Sequence, residues 1–217
     1  MKKFLALFIC LFITPFCACK KQPEKYDSKI TQLRENIFFA ENEQFTLICY
    51  PEKRESPIEN DGFVGKVENF VIFKLNFKNS VFKQPYDISF KIDGESYIGK
   101  FDYKPIADKL ECCVKVTSLD FEQLFTTLSA ENSSVGITLL PKKNSSTVDC
   151  KDALELLKQN DEDSKKILSL DNCEIRIRLI NNDGYDYWYI GLISTEDKVS
   201  YLLDGENGEL LAKKDLI

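Results

Sequence analysis

The sequence predicts a mainly β protein, with a β-sandwich over residues 26–145 followed by a small α+β module over residues 148–217. Three observations carry this expectation. Apolar and polar residues alternate with period two through most of the stretch from Phe45 to Leu140, the pattern of half-buried strands. The spacing turns helical at Ala153, Leu154, Leu157, Ile167, Leu168 and Leu170. Strand-like runs then return after Cys173, separated by the turn sequences Asn182-Asp183-Gly184 and Thr195-Glu196-Asp197.

The chain opens differently. Met1-Lys2-Lys3 precedes an uncharged, largely apolar run from Phe4 to Ala18, which predicts a signal peptide over residues 1–18. The run is shorter than the ~20 residues of a spanning helix and contains Pro15. It ends in Phe16-Cys17-Ala18-Cys19, which resembles the bacterial lipobox: an apolar residue at −3, a small one at −1, then the cysteine that receives lipid. Cys17 is unsuited to that role because bulky Phe16 precedes it. The resemblance implies cleavage before Cys19, lipidation of Cys19 with fatty acyl chains such as palmitate, and an extracytoplasmic protein anchored in the cell membrane. Residues 19–25 then form a polar tether. Loss of Lys2 and Lys3 with the signal takes the formal charge from −6 to −8.

The strands of the first module follow in order. An edge strand is expected at residues 37–40, then strands through Phe45, Leu47 and Cys49 and through Val71, Phe73, Leu75 and Phe77. Tyr86, Ile88, Phe90 and Ile92 alternate up to Asp93-Gly94, a hairpin turn, and residues 97–103 return. Leu110, Cys112, Val114 and Val116 form the next strand, residues 121–126 a helical crossover, and residues 134–140 the last strand. Seven short strands predict an immunoglobulin-like sandwich, here without that fold's tryptophan. Phe38, Phe39, Phe70, Phe73, Phe77 and Tyr86 read as core and not as a carbohydrate platform.

In the second module, Thr147 or Asp149 is positioned to cap the first helix and Asp161 the second. Strands are expected at residues 174–180, 185–194 and 198–203, with Ile175, Ile177 and Leu179 facing the helices and Arg176 and Arg178 facing water. Asp152-Ala153-Leu154-Glu155-Leu156-Leu157, Tyr187-Trp188-Tyr189-Ile190-Gly191-Leu192 and the closing Asp204-Gly205-Glu206-Asn207-Gly208-Glu209-Leu210-Leu211 resemble the PepSY family. That resemblance implies two helices on a three-stranded antiparallel sheet, an envelope or secreted setting, and a peptidase-regulatory role. The whole layout also looks like bacterial lipoproteins of this build.

The sequence has no histidine. That removes serine or cysteine catalysis based on an imidazole and any histidine-ligated metal site. The acidic balance argues against a nucleic-acid partner. Cys49, Cys112, Cys113, Cys150 and Cys173 lack metal-binding spacing, and their pairing is left open by the sequence. Asp183, Asp186 and Asp204 lie near tyrosines and Trp188, the raw material of a two-carboxylate hydrolase acting on an envelope polymer. Two of these acids sit in turn sequences, however. The expected function is therefore a non-catalytic binding or interaction module without cofactor or metal, whose partner is an envelope protein or peptide. A polymer hydrolase and a ligand-free spacer are the alternatives.

Overall fold

The computed structural model describes residues 26–78, 85–131 and 133–215. The strands in chain order are β1 (Ile30–Arg34), β2 (Phe38–Glu41), β3 (Phe45–Glu55), β4 (Val67–Phe77), β5 (Asp87–Ile92), β6 (Glu95–Lys100), β7 (Asp102–Lys104), β8 (Lys109–Val116), β9 (Leu124–Ala130) and β10 (Ser133–Pro141). Helices α1 (Cys150–Asn160) and α2 (Glu162–Ser169) follow, then β11 (Glu174–Asn182), β12 (Tyr185–Ile193), β13 (Lys198–Asp204) and β14 (Leu210–Asp215). The chain is mainly β, as the alternation predicts.

Local chemistry explains the boundaries. Asp93 and Gly94 both take positive φ, 51° and 82°, so the β5–β6 hairpin turns in the sense that matches strand twist. Asp183 and Gly184 repeat the device between β11 and β12, at 51° and 86°. Asp149 caps α1 by accepting from the Lys151 amide, and Asp161 caps α2 by accepting from the Ser164 amide.

Two apolar cores result. In the first, β3, β4 and β8 turn Leu47, Cys49, Val71, Phe73, Leu75 and Cys112 toward Ile88, Phe90, Leu124, Leu128 and Leu139 of β5, β9 and β10. Phe73 and Phe90 meet edge to face at 5.2 Å. In the second, Ala153, Leu154, Leu157, Ile167 and Leu168 of the helices cover Ile175, Ile177, Trp188, Ile190 and Tyr201. Trp188 is fully buried, and its indole N–H donates to the Val148 carbonyl at 3.2 Å, so its burial leaves no donor unpaired.

One sheet spans both cores. Its main path runs β14-β13-β12-β11-β1-β3-β2-β10-β9-β5-β6. β1 is the seam, pairing parallel with β11 on one side and antiparallel with β3 on the other. β1 also carries Ile30 into the second core.

Several sequence expectations change. The C-terminal sheet is not three-stranded: β14 pairs with β13 and extends the meander to four, and β1 adds a fifth strand. Residues 121–126 are not a helical crossover. From Leu124 the chain is strand β9, because Leu124, Thr126 and Leu128 alternate inward and the β-branched Thr126 and Thr127 favour extended backbone. The run over residues 97–103 divides at Phe101, which is buried in the core, so β6 pairs with β5 while β7 crosses to β8.

Candidate functional site

The chain has four arginines, Arg34, Arg54, Arg176 and Arg178, and the sheet gathers all of them on one face. Alternation along β11 sends Ile175, Ile177 and Leu179 into the helix-covered core and Glu174, Arg176 and Arg178 to the opposite side. A bulge at Thr31 shifts the register of β1, so that Ile30 lies beside Ile175 while Gln32 lies beside Arg176 and Arg34 beside Arg178. On the other flank of β1, Gln32 opposes Arg54 of β3.

Aromatic rings carry the guanidinium groups. Arg178 lies 4.1 Å above the Tyr189 ring, Arg34 4.5 Å above Tyr50, and Arg54 4.7 Å above Phe70, with Lys74 on the same Tyr50 ring at 4.6 Å. Such stacking holds each cation in place while leaving N–H groups in the guanidinium plane available.

Two buried glutamates organise the cluster. Glu52, 2% exposed, accepts from Gln32 Nε2 at 2.8 Å and lies 3.6 Å from Arg34 and 3.8 Å from Arg54. Glu174, fully buried, pairs with Arg176 at 2.9 Å and accepts from the Thr31 hydroxyl at 3.1 Å and the Gly62 amide at 2.9 Å. The four guanidiniums thus share two buried carboxylates, on a chain that is net negative. Burial, with Arg178 as a like-charged neighbour, pushes the Arg34 guanidinium below its usual value although Glu52 and Tyr50 act in the other direction. Arg34 Nε still donates to the Leu179 carbonyl at 3.2 Å. Arg178 Nε is buried and has no hydrogen-bond partner among the described residues.

The loop over residues 56–66 borders this face. Buried Glu55 accepts from the Gly65 and Glu59 amides, Glu174 holds Gly62, and Arg176 donates to the Glu59 carbonyl. Gly62 is required twice over: its φ is +87°, and a Cβ there would stand 2.9 Å from backbone atoms of Ser194 and Thr195. The loop so fixed exposes Ile58, Phe63 and Val64.

The residues singled out in the sequence fall elsewhere. Cys19, with the signal and the tether, lies outside the described residues, and no helix among the described residues is long and apolar enough to cross a membrane. Asp186 is buried and accepts from the Asn144 amide at 2.7 Å, the Thr147 hydroxyl at 2.6 Å and Asn181 Nδ2 at 2.6 Å, pinning the linker ahead of α1. Asp204 accepts from the amides of Glu206 and Asn207, and Asp183 forms its turn. All three acids serve backbone geometry. Phe38 and Phe73 are core, while Phe39 lies under Lys142 at 4.6 Å.

All five described cysteines are free thiols. Burial raises Cys49 well above its usual pKa and takes Cys112 to about 12. It also raises Cys173, and raises Cys113 against the pull of nearby Arg54. Cys150, raised by burial and by Glu35, donates to Glu35 Oε1 at 3.1 Å. Glu35, Asp149 and Cys150 lie within 4.8 Å of one another. The hydrogen bond accounts for that cluster with the thiol protonated.

The arginine face was missed by reading strands one at a time. A signal was present: against many lysines, the few arginines recur at alternate positions, beside Gln32, Glu52 and each other. Compared with protein-family models, with curated proteins and with solved structures, the chain matches no family, no protein and no structure.

Proposed function

We propose that the chain is a membrane-anchored extracytoplasmic lipoprotein, lipidated on Cys19, that works by binding an envelope protein or peptide and not by catalysis. The observation that carries the binding reading is the convergence of all four arginines on one sheet face beside a fixed loop of exposed apolar residues. Charged groups stacked on rings and only partly neutralised are the groups from which recognition surfaces are built. The anchor reading rests on the lipobox-like Phe16-Cys17-Ala18-Cys19.

The finer architecture belongs to the same reading. The two-layered packing around the first core supports an immunoglobulin-like sandwich. The order of two helices and an antiparallel meander, together with the residues quoted above, supports a PepSY-like C-terminal module. A peptidase of the envelope is accordingly the first partner to test.

The test has two arms. Metabolic labelling with an alkyne-bearing palmitate analogue should mark the wild-type chain and not Cys19→Ser; labelling that persists overturns the anchor. In-membrane crosslinking should capture a partner that is lost in the double variant Arg34→Gln/Arg178→Gln. Capture that is indifferent to those arginines overturns the binding face.

A further inference from the structure

We propose that Arg34 and Arg178, flanked by the rings of Tyr50 and Tyr189, form a carboxylate-binding subsite for an acidic polypeptide segment of the partner. This rests on the binding reading above and names the chemistry of what is bound.

Three observations lead to it. First, Arg34 and Arg178 are neighbours in register on adjacent strands, an arrangement of like charges that lowers stability and that an incoming anion relieves. Second, Arg178 Nε is buried without a hydrogen-bond partner among the described residues, so no protein acceptor neutralises that side of the guanidinium and the site carries an uncompensated cost. Third, each guanidinium rests on a ring; with Arg34 Nε on the Leu179 carbonyl and its Nη1 near Glu52, the remaining terminal N–H groups of the two arginines suit a carboxylate bound between them.

The occupant is polypeptide, by the character of the border. Glu174 and Arg176 hold the loop that exposes Ile58, Phe63 and Val64. Exposed apolar side chains on a loop held by Arg176, two residues along β11 from Arg178, match a segment carrying both acidic and apolar residues; a phosphate polymer would leave them without a counterpart. The acid excess over the rest of the chain directs an anionic segment to this face and away from others.

The experiment uses the full-length chain in detergent micelles and a fluorescein-labelled peptide in which Glu alternates with Leu. Fluorescence anisotropy should show binding that weakens with added salt. Arg34→Gln and Arg178→Gln should each weaken it by about tenfold or more, the scale of a lost charge-assisted hydrogen bond. Arg178→Lys should also weaken it, because a point charge replaces the fork, and this variant guards against loss of the fold as the cause. Lys213→Gln, on the far strand β14, should bind as wild type. The Gln–Leu counterpart of the peptide should not bind. Equal binding of both peptides, or binding unchanged in the arginine variants, overturns the subsite. Binding of a polyphosphate chain in place of the Glu–Leu peptide overturns the polypeptide assignment. If no probe binds while in-membrane capture still depends on the arginines, the acidic-peptide inference fails and the binding reading stands; loss of both ends the two together.

Discussion

Arg34 of the first strand and Arg178 of the eleventh stand side by side across a parallel ladder, two guanidiniums in register, and the nearby Glu52 carboxylate reaches Arg34 and Arg54. A sheet selected for stability alone would place opposite charges there. Arg178→Gln should therefore raise stability by about 0.2–1 kcal/mol, the scale of a cross-strand charge pair. Urea denaturation of the wild type and the variant measures this, and the expected sign is a higher midpoint with an unchanged slope.

Glu174 should behave in the opposite way. Its carboxylate is fully buried and satisfies Thr31, Gly62 and Arg176 together. Glu174→Ala leaves the Thr31 hydroxyl and the Gly62 amide without their acceptor and the partly buried Arg176 without its carboxylate, which costs about 1–3 kcal/mol. The same change should free the loop over residues 56–66. Limited proteolysis should cut the variant within that loop under conditions in which the wild type remains whole.

Asp161 links stability to pH. Although partial burial opposes it, hydrogen bonds from Lys213, the Ser164 amide and Tyr201 hold this carboxyl below the usual aspartate value of 3.8. A group depressed on folding contributes stability that is complete above its unfolded pKa and is lost as pH falls through its folded pKa. Asp161→Asn should thus lower the melting temperature at pH 7, and the difference from wild type should shrink as pH drops below about 3.8. A difference that is constant from pH 7 to pH 2 would show that the carboxylate's charge plays no part.

The thiols predict an order of reaction. Cys113 is exposed, whereas Cys49, Cys112, Cys150 and Cys173 are buried, and burial raises all five above the usual thiol value. Among these five, a maleimide reagent at pH 7 should label Cys113 first and slowly, with the other four reacting only on unfolding. Peptide mass mapping after a timed quench reads the order directly.

What was legible in the sequence was local. The turns at Asp93-Gly94 and Asp183-Gly184, the caps at Asp149 and Asp161, and the alternation of β4, β5 and β8 depend on residues close in the chain, and they stand where the sequence places them. The strand β1 was not legible. Five residues flanked by polar side chains carry little pattern of their own, and the partner that gives β1 its register lies more than 140 residues away. The arginine face follows from that pairing, because Arg176 and Arg178 acquire Gln32 and Arg34 as neighbours only once β1 is in place. Residues 121–126 misled for a related reason: three apolar residues at helical spacing fit a turn of helix until the inward alternation of Leu124, Thr126 and Leu128 is paired against β5 and β10.

The seam also sets a timetable for synthesis. β1 emerges first among the described strands, yet one of its two ladders cannot form until β11, in the last quarter of the chain, exists. Closure over so long a loop is slow compared with the making of hairpins. A chain interrupted ahead of residue 174 would hold β1 with its outer hydrogen-bonding groups unmatched, an edge of the kind that recruits strands from other molecules. The first strand to be made is thus among the last to be sealed, and shortened chains should clump while the complete chain does not.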